Sequence, residues 1–226
     1  MNDADGRLQD RLGYAFNDPE LLAQALTHRS CGAHNNERLE FLGDAILNFV
    51  VAELLYRGEP DAHEGRLTRL RAHLVRRETL AAVAGELNVG EALRLGPGEL
   101  KSGGRSRDSI LADAFEAIVG AIYLDAGLPV CAGILETLYG DRLARAAGEM
   151  GLKDAKTRLQ ESLQGRGRAL PQYTVVNLDG APHNQSFTVA CQVDGIADPV
   201  TGFGTSRRKA EQDAATRALE ILDGDA

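Results

Sequence analysis

The chain contains no uninterrupted run of about 18 apolar residues, the length a membrane-spanning helix requires. Its first residues, MNDADGRLQD, lack the basic and apolar regions of a secretory signal. Both absences predict a cytoplasmic protein. Cysteine is scarce. Cys31, Cys131 and Cys191 lie far apart, odd in number and outside any C-x-x-C pair, which predicts reduced, mostly structural thiols and no zinc site. Cys191 continues the alternation Phe187, Val189, Cys191, Val193 and so belongs to a core. Positive charge is also short: 25 Lys+Arg against 33 Asp+Glu give a net charge of −8 at pH 7. Taken alone, that balance argues against a nucleic-acid partner, so any such partner must be met by a local patch. No internal repeat is present, and strand-like alternation is absent before Pro171.

At 226 residues the chain can form one large or two small domains, each with its own core. Helical signals fill the first two thirds. Asp18-Pro19 pairs an N-cap with proline at the first helical position and opens PELLAQALTH. Further helices are predicted from about Asn36 to Tyr56 and from about Glu64 to Glu86, the latter with Leu67, Leu70, Leu74, Leu80 and Val83 at helical spacing. Two more run through SILADAFEAIVGAIYLDAG from Ser109 and from about Pro129 to Ala146. The turn-rich GPGELKSGGRSRD, which follows the helix over 64–86 and precedes both of these, predicts a flexible loop. Alternation appears in QYTVVNL, SFTVACQV and PVTGFGT, followed by a helix from Ser206. The expected fold is multidomain: an all-α domain over residues 1–148, a linker at 149–154, and a small α+β unit of α-β-β-β-α order over 155–226.

The stretch NERLEFLGDA carries three carboxylates in apolar surroundings. At about 100° per residue, Glu40 lies roughly 60° from Glu37, and Asp44 roughly 20° from it. They form one narrow stripe flanked by Leu39, Phe41, Leu42, Ala45, Ile46, Leu47, Phe49, Val50 and Val51, so the helix reads as buried on both flanks. Ionised carboxylates there need a partner. A second acidic pair, Asp113 and Glu116, shares a face of the helix from Ser109, and Gly120 between them in projection permits close approach of another helix. Facing the two stripes makes a cluster of Glu40, Asp44, Asp113 and Glu116, with Glu37 at its edge. Oxygen-only clusters suit hard divalent cations, magnesium above all when the substrate carries phosphate. A di-iron bundle needs Glu-x-x-His pairs, and no histidine has a glutamate three positions earlier. An isolated acidic pair is more often a solvated helix face, whereas two stripes embedded in apolar helices favour a metal site.

NERLEFLGDA resembles the signature of the ribonuclease III family, and DSILADAFEAIVGAIYLD resembles the segment that carries the second acidic pair there. GPGELKSGG and the C-terminal unit extend the resemblance over nearly the whole chain. It implies a double-stranded-RNA-specific endoribonuclease that hydrolyses phosphodiester bonds, leaving 5′-phosphate and 3′-hydroxyl ends with short 3′ overhangs. The implied role is processing of ribosomal RNA precursors and other structured transcripts. The implied metal ligands are Glu40, Asp44, Asp113 and Glu116, with Asp44 and Glu116 catalytic and Glu37 and Glu64 auxiliary. Two Mg²⁺ ions about 4 Å apart, with Mn²⁺ as the substitute metal, would activate a water and stabilise the leaving 3′ oxygen. One motif per chain and two strands to cut imply a two-fold homodimer. Phe41 projects about 40° from Glu37, beside the cleft, and needs apolar cover from the partner subunit or from its own chain.

Two basic features are less specific. GPGELKSGGRSR lacks the Gly-Lys-Ser/Thr ending of a nucleotide loop, although Lys101, Arg105 and Arg107 could touch RNA. Arg66, Arg69, Arg71, Arg76 and Arg77 fit a solvated face and an RNA cleft equally.

In the second unit, TRLQESLQG places Thr157, Gln160, Glu161 and Gln164 on one helical face, with Leu159 and Leu163 opposite. Such polar groups suit hydrogen bonds to 2′-hydroxyls in a shallow minor groove. Ser206 caps the last helix, whose first turn carries Arg207, Arg208 and Lys209, where charge and helix dipole both favour phosphate. Ala210, Ala214, Ala215, Ala218 and Leu219 would seat it on the sheet. This unit resembles the double-stranded-RNA-binding domain, which implies a third contact in the β1–β2 loop around His183. Residues 154–226 hold 8 Lys+Arg and 10 Asp+Glu, a net −2, so binding must come from the concentrated patch and from shape-dependent hydrogen bonds. The competing readings are a non-catalytic binding protein that uses its helical domain to dimerise, and a phosphatase or nucleotide hydrolase. The first would lack a carboxylate of the four; the second would have a small-molecule pocket and no RNA-binding module.

Overall fold

Helices come first and strands are confined to the end, as the patterning predicts. The computed structural model describes residues 3–180 and 185–224, and the chain divides into two units, Met1–Ala146 and Ala147–Ala226.

The first unit opens with α1 (Asp3–Leu12), which the sequence reading passed over and which buries Leu8 and Leu12. Helix α2 (Pro19–Ala25) begins as expected, the Asp18 carboxylate accepting from the Glu20 N–H at 2.9 Å. The acidic-striped helix is α3 (Glu37–Gly58). The single helix expected over 64–86 is two, α4 (Glu64–Leu74) and α5 (Arg77–Glu86). Arg76 between them is extended (φ −69°, ψ 153°), and the Thr79 hydroxyl bridges the break by donating to the His73 carbonyl at 2.8 Å. Leucine spacing hid the break because Leu70, Leu74 and Leu80 are buried on both sides of it.

After α6 (Val89–Ala92), the glycine-rich segment is folded, not a flexible loop. It forms α7 (Pro97–Lys101) and a 3₁₀ turn, Gly104–Ser106. Arg107 donates to the Glu99 carboxylate (2.7 Å) and the Ser102 hydroxyl (2.9 Å), and Arg105 to the carbonyls of Gly90 and Glu91 (2.6 and 2.8 Å).

Helix α8 (Asp108–Gly165) leaves helical geometry at Gly127 (φ 79°, ψ 175°), where the two expected helices meet. Its backbone is helical through 149–154, the predicted linker, whose side chains lie outside the described residues. The span Asp108–Ala146 is long and apolar enough by length and composition to cross a membrane. Ile110, Leu111, Phe115, Ile118, Val119 and Ile122 are nevertheless buried in the unit's core. Two glycines let α3 and α8 cross at contact distance. A Cβ at Gly43 would meet the Glu116 carbonyl oxygen at 1.7 Å, and one at Gly120 the Leu39 carbonyl oxygen at 2.4 Å.

In the second unit, β1 (Gln172–Asp179), β2 (Ser186–Gln192) and β3 (Val200–Gly204) form an antiparallel sheet in that order. The end of α8 and α9 (Arg207–Gly224) cover one face. Leu159, Leu163, Cys191, Val193, Ala214, Ala215, Ala218 and Leu219 make the core, so the alternation through Cys191 and the alanine face of α9 are borne out. Gly202 brings α9 in close: a Cβ there would lie 2.2 Å from the Ala214 nitrogen.

Candidate active site and nucleic-acid interface

The glycine crossing puts the two acidic stripes face to face. Carboxylate oxygens of Glu40, Asp113 and Glu116 all lie within 4.8 Å of one another, each residue half-buried. Burial pushes Glu116 from 4.5 up to about 7, and the charges of Asp44, Glu40 and Asp113 add to the rise. Glu40 is raised by burial, then by Asp113 and Glu37, with Arg29 opposing. Asp113 is raised by burial against the lowering charges of Arg77, His28 and Arg29. A half-buried, all-oxygen set in which burial raises every member and neighbouring carboxylates raise Glu40 and Glu116 further is what a hard divalent cation would relieve. The donor set fits such an ion.

Asp44 stands apart from this trio. It is exposed, and Asn48 one turn later donates to its carboxylate (2.8 Å) and its carbonyl (2.9 Å), fixing the side chain beside the cluster. Glu37 stands at the edge, held by the Asn35 amide (3.3 Å) and by Arg29 at 3.7 Å. The Asn35 side-chain oxygen also accepts from the Glu37 N–H, the first of α3, at 3.0 Å. Glu64 is not in the trio. It accepts from the Thr68 hydroxyl (2.8 Å) and lines a groove of about 330 Å³ between α3 and α4, with Phe49, Tyr56 and Leu67 among its neighbours.

Basic neighbours of the cluster carry no local sequence signal. His28 and Arg29 belong to a turn pinned to the chain before α7: the His28 N–H donates to the Arg94 carbonyl (3.0 Å), and the Gly96 N–H to the Ser30 hydroxyl (2.8 Å). Nothing local marks them, since their approach to Asp113 is a tertiary fact. Asn48 was readable, lying four residues after Asp44 on the same face. Of the arginine run, Arg66 is tied to Glu59 at 3.0 Å and Arg76 faces Glu78 at 3.7 Å.

One flank of the acidic stripe is not buried as expected. Phe41 is 80 % exposed, and Phe49 and Tyr56 follow it on the open side of α3. Phe41 therefore does not find its cover within its own chain.

In the second unit, Thr157, Gln160, Glu161 and Gln164 are all exposed on α8, with Leu159 and Leu163 beneath them. Ser206 caps α9, its hydroxyl accepting from the Lys209 N–H at 3.3 Å, and Arg207, Arg208 and Lys209 are exposed. His183 lies outside the described residues. A helical unit with a carboxylate cluster, joined in one chain to an α-β-β-β-α unit with a basic helix start, defines a nuclease that carries its own RNA-binding module.

Comparison with known proteins agrees. The Ribonuclease-III-like family pattern matches residues 18–143, and the double-stranded RNA binding motif matches residues 155–222. The chain is 57 % identical over 222 residues to Ribonuclease 3 of Vibrio vulnificus strain YJ016, covering 98 % of this chain and 99 % of that one. It is 58 % identical over 216 residues to Ribonuclease 3 of Vibrio cholerae serotype O1, covering 96 % of each. The nuclease domain of ribonuclease III from Campylobacter jejuni superposes with a TM-score of 0.60 at 43 % identity, covering 63 % of this chain and 97 % of that one. The chain belongs to the ribonuclease III family. It is an endoribonuclease acting on double-stranded RNA, which removes the binding-only and nucleotide-hydrolase readings.

Proposed function

We propose that the chain cleaves double-stranded RNA by Mg²⁺-dependent phosphodiester hydrolysis at Glu40, Asp44, Asp113 and Glu116. The observation that carries this is the meeting of three carboxylates within 4.8 Å at a glycine-enforced helix crossing. Glu40, Asp113 and Glu116 hold Mg²⁺, or Mn²⁺ in its place, and Asp44 joins them from the next turn of α3. When bound, the metal supplies an activated water and stabilises charge on the leaving 3′ oxygen. Glu116, flanked by all three other carboxylates, gives up its proton to serve as ligand. Asn48 keeps the Asp44 carboxylate in place, so its oxygens enter the site without reorganisation. Asp44 and Glu116 are the catalytic pair, and Glu37 and Glu64 are auxiliary acids.

The products are 5′-phosphate and 3′-hydroxyl ends with short 3′ overhangs, and the substrates include ribosomal RNA precursors and other structured transcripts in the cytoplasm. Thr157, Gln160, Glu161, Gln164 and His183 read the minor groove, and Ser206, Arg207, Arg208 and Lys209 hold phosphates. In this reading residues 1–148 are the nuclease domain and 155–226 the RNA-binding domain, with 149–154 between them. The enzyme works as a homodimer through the exposed face at Phe41. A solved structure of the Campylobacter jejuni nuclease domain is described by flexibility in its region involved in dimer formation. Incubating the protein with a perfect RNA duplex and the matching DNA duplex, with and without Mg²⁺, tests the reading. Cleavage should require both RNA and metal; cutting of the DNA duplex, or of RNA without any divalent ion, would contradict it.

A further inference from the structure

Glu211 on α9 is a charged residue only 9 % exposed, and it faces cations from two elements. Arg207 donates from Nε to Glu211 Oε1 at 2.9 Å, and Lys156 on α8 donates from Nζ to Oε2 at 2.6 Å. The next residue, Gln212, accepts the backbone N–H of Lys156 at 3.1 Å. The Lys156 ammonium also sits 4.3 Å from the centroid of the Tyr173 ring on β1. Burial alone would raise the Glu211 pKa, yet its hydrogen bonds to Lys156 and Arg207 hold it below the ordinary carboxylate range, so it is ionised at neutral pH.

These contacts join two surfaces that are far apart in sequence. Lys156 directly precedes Thr157, the first residue of the exposed polar face on α8, and Arg207 opens the basic triplet on α9. Arg207 uses Nε for Glu211, and among the described residues neither of its Nη groups has a protein partner. Its side chain is 64 % exposed. A guanidinium gripped through Nε offers its remaining N–H groups as a preorganised fork for phosphate oxygens.

We propose that Glu211 is a positioning residue for duplex RNA: it fixes the Arg207 guanidinium toward a backbone phosphate and sets the separation of the contact faces at Thr157 and Arg207. This rests on reading Arg207, Arg208 and Lys209 as phosphate contacts. The sign of the effect distinguishes positioning from simple electrostatics. A negative charge near the RNA backbone repels it, so a Glu211 that acted by charge alone would bind RNA more tightly when neutralised. A Glu211 that positions Arg207 would bind more weakly.

The test is fluorescence anisotropy of the full chain with a labelled RNA duplex, without divalent ions so that the duplex stays whole, over a salt series and with melting curves as the folding control. Arg207→Ala and Glu211→Gln should each weaken binding about tenfold. Each should lower the salt slope by nearly one unit, the loss of about one phosphate contact. The double variant should bind no more weakly than either single one. Arg207→Lys, which keeps the charge but not the fork and leaves Glu211 paired with Lys156, should also bind several-fold more weakly. If Arg207→Ala changes neither affinity nor slope, the underlying assignment of the basic triplet fails. If Arg207→Ala weakens binding while Glu211→Gln binds as well as or better than wild type, or if the two effects add, the positioning role is overturned. Should Glu211→Gln fail to fold, full affinity in Arg207→Lys overturns it instead.

Discussion

Gly43 on α3 faces the backbone of Glu116 on α8 across a gap that admits no side chain, a Cβ at position 43 falling 1.7 Å from the Glu116 carbonyl oxygen. The obstacle is helix backbone, so it cannot rotate away. The residue that lets the helices touch thus abuts the residue that completes the carboxylate cluster.

Gly43→Ala should therefore damage both stability and chemistry. Overpacking typically costs about 1–3 kcal/mol, and a backbone obstacle belongs at the upper end or beyond. Displacement of α8 by even about 1 Å misaligns Glu116 and Asp113, a shift that can cost about 10²-fold in rate. A melting curve and a cleavage assay on one sample measure both. Wild-type values in both would mean that the crossing does not set the site.

Gly120 was legible as a contact glycine because it shares the face of Asp113 and Glu116; Gly43 was not, lying one residue off the stripe it serves. The meeting of Glu40, Asp113 and Glu116 was legible because two periodic stripes in apolar helices have few other uses; that Asp44 stands apart from them, exposed, was not. The turn at His28 and Arg29 was not, because its approach to Asp113 depends on hydrogen bonds to Arg94 and Gly96, 66 residues on. The break at Arg76 was masked for the opposite reason. Burial of Leu70, Leu74 and Leu80 satisfies a helical period whether or not the helix continues. In the second unit the alternating strands and the alanine face were plain, while nothing local marks Glu211, whose partner Lys156 lies 55 residues earlier.

Phe41→Ala should separate assembly from folding. Phe41 is 80 % exposed in the single chain, so its loss should change the stability of that chain by no more than about 0.5 kcal/mol. If it anchors the subunit interface, the dimer dissociation constant should rise about tenfold or more. Sedimentation reads this directly, since the wild type should run near twice the 24.2 kDa of one chain. A wild type that stays monomeric at micromolar concentration would remove the two-site reading.

Glu116→Gln should separate binding from catalysis. It keeps the size of the side chain and removes the charge that would hold a cation. Cleavage should fall by at least about 10²-fold, because stabilisation of developing charge is usually the largest catalytic contribution. Duplex affinity, measured by gel shift in Mg²⁺, should change little, since Thr157 and Arg207 lie in the other unit. Cleavage at the wild-type rate in saturating Mg²⁺ would make the acidic stripes structural.

Mild acid should stabilise the metal-free nuclease unit. Glu116 is raised from 4.5 to about 7 chiefly by burial, and Glu40 and Asp113 are raised as well. A group whose folded pKa exceeds its unfolded one binds its proton more tightly when folded. Its contribution is full below the unfolded value and is lost as pH rises through the folded one. For Glu116 that window runs from about 4.5 to about 7. Glu211 and Asp125 are shifted the other way, so what they contribute is lost only as pH falls below the ordinary carboxylate range, outside this window. Discounted for solvent screening, the Glu116 effect is about 1 kcal/mol, or about 2–4 °C in a chain of this size. Between about pH 5 and pH 8 the metal-free Tm should fall by that amount, and Glu116→Gln should flatten the decline. Mg²⁺ should reverse it, with affinity rising over the same interval as the ligands lose their protons. A metal-free Tm that climbs from pH 5 to pH 8, identically in wild type and Glu116→Gln, would show that the cluster carries no excess repulsion for a cation to relieve.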